Sequence, residues 1–146
     1  MDTVVFVCTG NTCRSAMAEG IFNAMASERH LKVKAASCGL SAFPGDTATE
    51  AAKRAAKQYG ADLSAHRSRR ANEYLLEEAK FIYCMTKAHL QALLEQFPAC
   101  AGKASCLGKQ DISDPWGGSQ AVYDRTAKEI AEEISRLLDQ WNGEGK

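Results

Sequence analysis

The sequence predicts a single α/β domain, a three-layer α/β/α sandwich around a central four-stranded parallel sheet with strand order 2-1-3-4. Two observations lead to this fold. Short apolar segments alternate with longer amphipathic segments along the chain, which is the pattern of βαβ units. The length of 146 residues is typical of one domain, so residues 1–146 are expected to fold as one unit.

The first half of the chain contains two predicted strands and two predicted helices. The opening run TVVFVC is continuously apolar and β-branched, which suits a strand buried on both faces. Met17, Ile21 and Met25 recur at helical spacing. Gly60 ends an alanine-rich helical segment. The expected elements are strands at 3–8 and 32–37 and helices at 14–29 and 47–59.

The second half of the chain repeats this alternation. Thr86 is placed to cap a helix, because a threonine hydroxyl can accept a hydrogen bond from the first free backbone N–H groups. Pro98 ends that helix, since the residue before a proline disfavours helical geometry. The loop GKQDISDPWGGS separates the last strand from the last helix. The expected elements are helices at 72–78, 87–96 and 119–141 and strands at 80–85 and 103–107.

Composition argues against several classes of protein. Lys+Arg and Asp+Glu both number 18, and a nucleic-acid-binding protein would normally carry a basic excess. The chain lacks an apolar run of about 18 residues, and its start lacks a basic signal-peptide region, so a cytoplasmic protein without a membrane span is expected. The six cysteines are expected to stay reduced, because the chain is long, rich in helix and lacks an export signal. The cysteines and the three histidines lack zinc-ligand spacing, so no metal or cofactor is expected, and the protein is expected to be a monomer.

The loop after the first strand carries the strongest functional signal. Cys8 and Arg14 enclose five residues at a strand-to-helix junction, enough for a bowl of inward-facing N–H groups at the positive end of a helix. Gly10 permits a turn with positive φ, and the Arg14 guanidinium can pair with two phosphate oxygens. A cysteine beside this positive charge favours the thiolate. Cys8 is therefore expected to attack a bound phosphoryl group, giving a phosphocysteine that water hydrolyses.

The segment VFVCTGNTCRSAMAE resembles the phosphate loop of the low-molecular-weight protein phosphatases. Three later segments resemble that family in the same order, namely ASCGL at 36–40, HRSRR at 66–70 and DPWGG at 114–118. The resemblance therefore covers essentially the whole chain. Ala16 departs from the family, which usually has proline after the arginine–serine pair. Because proline near a helix start is dispensable, activity is still expected.

The resemblance implies roles for further residues. Asp114 would be the general acid that protonates the leaving group, and Trp116 would form an apolar wall for the substrate side chain. Ser15 would donate to the thiolate and ease its departure. Cys13 could form a reversible disulfide with Cys8, which makes the site redox-sensitive. The phosphate-binding loop would comprise Thr9, Gly10, Asn11, Thr12, Cys13 and Ser15, with Asn11, Ser37 and His66 bracing it.

Position 12 bears on the choice of substrate. The spelling CTGNTCRS resembles the protein-arginine-phosphatase branch of bacteria, whereas tyrosine-directed members commonly carry a bulkier aliphatic residue where Thr12 stands. The two glycines after Trp116 also resemble that branch. A threonine hydroxyl could accept a hydrogen bond from a guanidinium or orient the hydrolytic water. The expected function is that of a protein-arginine phosphatase, a hydrolase of phosphorylated proteins.

Three alternatives stay open at the level of sequence. A protein-tyrosine phosphatase would use the same residues and the same mechanism. An arsenate reductase would need further cysteines for a disulfide relay, but the next cysteine after Cys84 is Cys100. A non-catalytic phosphoprotein-binding module would be expected to lose the nucleophile or the acid, yet Cys8, Arg14 and Asp114 are all present.

Overall fold

Four parallel strands form one sheet in the computed structural model of the chain, which describes residues 1–144 and the side chains of residues 1–141. Numbered along the chain, the strands lie in the order 2-1-3-4 across the sheet, which confirms the predicted order. Since all four strands are parallel, their carboxyl ends meet at one edge of the sheet, where Cys8 of the first strand pairs with Gly39 of the second. The strands are β1 (Asp2–Cys8), β2 (Val33–Gly39), β3 (Phe81–Cys84) and β4 (Ala104–Cys106).

Helices cover both faces of this sheet, as the three-layer prediction requires. Val4 and Phe6 of β1 pack into a core with the first, second and last helices, whereas Val5 and Val7 pack into a second core with the third and fourth helices. All four side chains are fully buried, and each burial contributes about 1.5–3 kcal/mol. The helices are α1 (Arg14–Glu28), α2 (Glu50–Lys57), α3 (Glu73–Glu78), α4 (Lys87–Gln96) and α5 (Gln120–Glu144).

Helix α2 is shorter than the helix predicted at 47–59. Thr49 stands before it in extended geometry, and the Thr49 hydroxyl accepts a hydrogen bond from Ala52 N at 3.2 Å. This cap fixes the start of the helix and leaves residues 47 and 48 in the preceding loop. The Thr49 N–H donates to Thr12 O at 3.1 Å, which ties the start of α2 to the segment after β1.

Other boundaries shift by one to three residues. Strand β2 continues to Gly39, beyond the predicted end at 37, because its backbone pairs with β1 as far as Cys8. Thr86 caps α4 as predicted, accepting from His89 N at 3.0 Å. A short 3-10 helix at Pro98–Gly102 was not predicted. The last two residues of the predicted domain, 145 and 146, lie outside the described residues.

The cysteines are free thiols throughout the described part of the chain. Burial raises the pKa of Cys38 to about 12 and that of Cys84 to about 12, so both thiols stay protonated near neutral pH. A buried neutral thiol is chemically inert, so Cys38 and Cys84 are not expected to act as nucleophiles. Within residues 1–144, no helix has the length and apolar character needed to cross a bilayer.

Candidate active site

The segment Cys8–Arg14 curls over the carboxyl edge of the sheet and surrounds a cavity of about 290 Å³. The positive φ expected at Gly10 is found at Asn11 instead, with φ of 59°. Asparagine adopts this left-handed region more readily than most residues, and its side chain here is held by several hydrogen bonds. We call this space the loop cavity; it is lined by residues 8–14, Asp114 and Trp116.

Gly39 lets the loop pack directly against the end of β2. A Cβ atom at this position would collide with Thr9 O and would lie 3.0 Å from Asn11 N. The two residues that follow Gly39 then support the loop backbone: Leu40 N donates to Cys8 O at 2.9 Å, and Ser41 N donates to Thr9 O at 3.0 Å. Gly39 and the two residues after it therefore support the backbone of the loop.

A chain of hydrogen bonds leads from Glu19 to the sulfur of Cys8. The Ser37 hydroxyl donates to Glu19 Oε1 at 2.6 Å, and Asn11 Nδ2 donates to both Ser37 Oγ and Ser15 Oγ at 2.8 Å. Because both Asn11 protons are committed to serine oxygens, the Ser15 hydroxyl keeps its own proton for Cys8 Sγ, 2.8 Å away. The network thus directs a donor at the sulfur. Glu19 was not identified from the sequence.

The segment after Ala65 braces the loop from the other side. His66 Nε2 lies 2.7 Å from Asn11 O, and Arg69 N donates to Asn11 Oδ1 at 2.9 Å. These contacts fix both the backbone and the side chain of the one loop residue with positive φ. Ser37 and His66, which the sequence pointed to as supporting residues, therefore both contact Asn11.

The sulfur of Cys8 lies at the base of the loop cavity. In addition to the Ser15 hydroxyl, the Asn11 N–H points at Cys8 Sγ from 3.3 Å. Helix α1 begins six residues later, at Arg14, and directs its positive end toward the same loop. The Ser15 hydroxyl, the Asn11 N–H and the positive end of α1 are therefore all directed at this sulfur.

Arg14 links the loop to the segment that carries Asp114. Its guanidinium is buried, with Nη1 donating to Ile112 O at 2.9 Å and Nη2 lying 3.7 Å from Asp114 Oδ2. Asp114 remains 61% exposed at the mouth of the cavity, where a leaving group would depart. Trp116 is 73% exposed, so it is not part of the core and is free to contact a substrate.

The two glycines after Trp116 have a structural reason of their own. Gly118 N donates to Pro115 O at 2.8 Å, closing a turn in which Gly117 has φ of 80°. A Cβ at Gly118 would lie 2.9 Å from Pro115 O and 3.0 Å from Val122. The turn geometry therefore requires both glycines, and their presence does not depend on which substrate the site binds.

Two residues near the loop cavity were not identified from the sequence. His89, in the first turn of α4, places Nε2 2.9 Å from Thr9 Oγ1. It follows β3 at the same sheet edge as Cys8, so the predicted topology contained a signal for it. Tyr123 of α5 places its hydroxyl 3.3 Å from Cys13 Sγ, and nothing in the local pattern marked it. In residues 1–141, no cluster of three or more His, Cys, Asp or Glu side chains could hold a metal ion.

Comparison with curated proteins places the chain among phosphatases. The family profile described as low molecular weight phosphotyrosine protein phosphatase matches residues 3–146. A protein-arginine-phosphatase of Bacillus subtilis is 36% identical over 143 residues, covering 94% of this chain and 95% of the relative. The low molecular weight protein-tyrosine-phosphatase Ptp of Acinetobacter johnsonii is 31% identical over 127 residues, covering 85% of this chain and 87% of the relative.

Solved structures agree with the fold. One of them is YwlE arginine phosphatase, a cysteine-to-serine mutant with a phosphorylated active site serine. It superposes with a TM-score of 0.92 at 35% identity, covering 96% of this chain and 95% of that chain. The profile match over residues 3–146, together with relatives above 30% identity along most of their length, establishes that this chain belongs to the low molecular weight phosphotyrosine protein phosphatases, a family of cysteine-dependent phosphatases.

Proposed function

We propose that this protein is a protein-arginine phosphatase whose nucleophile is Cys8, whose phosphate-binding residue is Arg14 and whose general acid is Asp114. The observation that carries the chemistry is the Cys8 sulfur at the base of the loop cavity, with the Ser15 hydroxyl 2.8 Å away and the Asn11 N–H 3.3 Å away. The named activity of the Bacillus subtilis relative supports arginine as the phosphorylated residue.

The proposed reaction proceeds in two displacements. The Cys8 thiolate attacks phosphorus, so that a P–S bond forms while the P–N bond to the guanidine breaks, and Asp114 gives its proton to the departing nitrogen. Water then attacks the phosphocysteine, Asp114 takes a proton from that water, and the P–S bond breaks. Inorganic phosphate and the Cys8 thiolate are released, with the Ser15 hydroxyl stabilising the leaving sulfur. Arg14 and the loop N–H groups balance the phosphoryl charge, so no metal is needed.

Substrates that differ only in the phosphorylated side chain give the direct test. Phosphate release would be measured from a phosphoarginine protein, from free phosphoarginine and from a phosphotyrosine peptide, with Cys8→Ser as the blank. We expect the arginine substrates to react faster by orders of magnitude. Faster release from phosphotyrosine would leave the nucleophile and mechanism standing and would make the protein a tyrosine phosphatase.

Thr12 is the proposed specificity residue, and Thr12→Ile is expected to shift preference toward phosphotyrosine. Thr12 lines the loop cavity, and isoleucine there would remove a hydroxyl and add volume. We expect the ratio of kcat/KM for phosphoarginine over phosphotyrosine to fall by roughly 10²-fold.

Thr12→Val is the matched control, because valine removes the hydroxyl at nearly constant volume. If Thr12→Val lowers the kcat/KM ratio as much as Thr12→Ile does, the hydroxyl is responsible for substrate discrimination. If Thr12→Val keeps the parental ratio, side-chain volume is responsible. Unchanged ratios in both variants would remove Thr12 from the specificity argument.

Oxidation is the second property proposed for this site. Mild peroxide is expected to inactivate the enzyme by joining Cys8 to Cys13, with peroxide as the oxidant, and a thiol reductant is expected to restore activity. Cys13 Sγ now contacts the Tyr123 hydroxyl, so forming the disulfide requires that contact to break. Cys13→Ala and Cys13→Ser should recover far less activity after the same treatment, because unprotected Cys8 oxidises further. Equal recovery in these variants would contradict a protective role.

The proposal also covers the setting in which the enzyme works. Residues 1–146 would act as one domain, a monomer in the bacterial cytoplasm, on phosphorylated proteins and not on nucleic acid. The chemistry supports this setting, because a catalytic Cys8 thiolate beside Cys13 works only while both sulfurs stay reduced. The bacterial origin of the two phosphatase relatives is consistent with it.

A further inference from the structure

His89 is a histidine that is buried against the loop cavity without a role in the chemistry described so far. It lies in the first turn of α4, directly after β3, and only 7% of it is exposed. Its Nε2 is 2.9 Å from the hydroxyl oxygen of Thr9, which is the residue next to Cys8 and lines the cavity. The buried imidazole of His89 is therefore linked to the lining of the loop cavity through the Thr9 hydroxyl.

The other ring nitrogen decides the direction of this hydrogen bond. His89 Nδ1 is buried and has no hydrogen-bond partner among the described residues. A proton on Nδ1 would be a buried donor without an acceptor, which is costly, whereas a proton on Nε2 is satisfied by Thr9 Oγ1. The arrangement therefore favours the tautomer in which His89 donates and Thr9 accepts.

Burial keeps the imidazole ring of His89 neutral. Burial is the main effect that lowers the pKa of His89, and the positive Arg14 lowers it further, while Asp111 and Asp114 act in the opposite direction. A neutral ring carries a single N–H, which the geometry gives to Nε2. Since Thr9 Oγ1 accepts that proton, the Thr9 hydroxyl proton is left for another acceptor, and Thr9 is an exposed residue that lines the loop cavity.

We propose that His89 is a positioning residue that, by donating from Nε2 to Thr9 Oγ1, turns the Thr9 hydroxyl into a hydrogen-bond donor aimed at the phosphoryl group in the loop cavity. This inference rests on the proposed phosphatase function of the same cavity. Thr9 supplies one donor to phosphoryl oxygens beyond those of Arg14 and the loop backbone, and His89 fixes its direction. Charge accumulates on those oxygens during transfer, so a preoriented donor acts on kcat more than on KM.

Nitrogen-15 NMR of the unmodified enzyme tests the tautomer directly. The imidazole nitrogens of His89, assigned by comparison with the His89→Gln spectrum, are expected to show a protonated Nε2 and a bare Nδ1 at neutral pH. A protonated Nδ1 would make Thr9 the donor to His89 and would overturn the proposal. This measurement does not depend on any activity, so it stands even if the proposed substrate is wrong.

Kinetics test the consequence. The substrate is para-nitrophenyl phosphate, because its hydrolysis reports phosphoryl transfer through Cys8 whichever phosphorylated residue the enzyme prefers. Thr9→Val is expected to lower kcat by about 10²-fold and His89→Leu by about tenfold, with KM nearly constant. His89→Gln keeps an N–H donor near the Nε2 position and is expected to restore most of the lost rate. In the Thr9→Val background, His89→Leu should have no further effect on kcat, because it acts through the Thr9 hydroxyl.

The failures are distinguishable. An absence of Cys8-dependent turnover in the parent enzyme would overturn the proposed function and leave the tautomer assignment intact. Independent, additive losses from Thr9→Val and His89→Leu, or equal rates in His89→Gln and His89→Leu, would show that His89 only packs and would overturn the positioning role. If His89→Leu does not fold, the glutamine variant and the NMR tautomer still decide the question.

Discussion

Replacement of Cys8 by serine is expected to lower turnover by about 10⁴-fold or more on every phosphorylated substrate. A serine hydroxyl ionises far less than a cysteine thiol. The variant therefore contains very little of the anionic nucleophile that attacks phosphorus. Ser15 and the Asn11 N–H would still point at the new oxygen, and Arg14 would still close the cavity. The variant is therefore expected to bind phosphate while failing to turn over.

The same variant offers a second readout by mass spectrometry. A slow attack by serine followed by a slower hydrolysis would leave a stable phosphoserine, as is present in the cysteine-to-serine mutant of YwlE. The matched control is Cys106→Ser, which makes the same atomic change at a partly exposed cysteine away from the cavity. We expect this control to keep parental rates. Turnover by Cys8→Ser within about tenfold of the parent would remove Cys8 as the nucleophile.

The parts of the site that residue spacing alone predicted lie close together in the chain, whereas the roles of Ser37, His66 and Asp114 were implied by the family resemblance. Cys8, Arg14 and Ser15 fall within one strand–loop–helix junction, and the register of a parallel sheet then fixes where that junction stands. The prediction failed for Gly10, because the identity of a glycine only shows that positive φ is permitted. Asn11 adopts it here, since its side chain gains hydrogen bonds to Ser15 and Ser37 in that geometry.

The parts that were not predicted depend on contacts between distant segments. His89 lies 80 residues from Thr9 in the chain, and Tyr123 lies 110 residues from Cys13. Such pairs become visible only when strands and helices are assembled. The strand order would have placed the residues after β3 beside Thr9, which points toward His89. The approach of Tyr123 depends on how α5 packs against α1, and local periodicity does not encode that packing.

The geometry also suggests how the proposed phosphate binding and the proposed acid catalysis would be linked. Arg14 lines the loop cavity and donates to Ile112 O, so the guanidinium proposed to bind phosphate also holds the segment leading to Asp114. The Asp114 carboxylate in turn accepts from Trp116 N at 3.1 Å, which places the exposed tryptophan beside the cavity mouth. In the proposed mechanism, these contacts would hold the phosphoryl group, the acid Asp114 and the apolar wall of Trp116 in one arrangement.

Asp114→Asn is expected to lower kcat for phosphoarginine by about 10³-fold, a loss of the size that removal of a general acid produces. Asparagine keeps an oxygen for the Trp116 N–H and has nearly the same shape, so the turn should be retained. The variant loses only the transferable proton and the negative charge 3.7 Å from Arg14. KM is expected to change little.

A comparison of two leaving groups distinguishes acid catalysis by Asp114 from a general electrostatic effect of its charge. Para-nitrophenolate departs readily without a proton, whereas a guanidine nitrogen does not, so the loss should be much larger for phosphoarginine than for para-nitrophenyl phosphate. Asp111→Asn is the matched control: it removes the same charge from the same loop, but Asp111 Oδ1 accepts from Lys87 N at the start of α4. We expect this control to stay within about threefold of the parent on both substrates. Equal losses across the two leaving groups in Asp114→Asn would mean that the carboxylate orients Arg14 and does not transfer the proton.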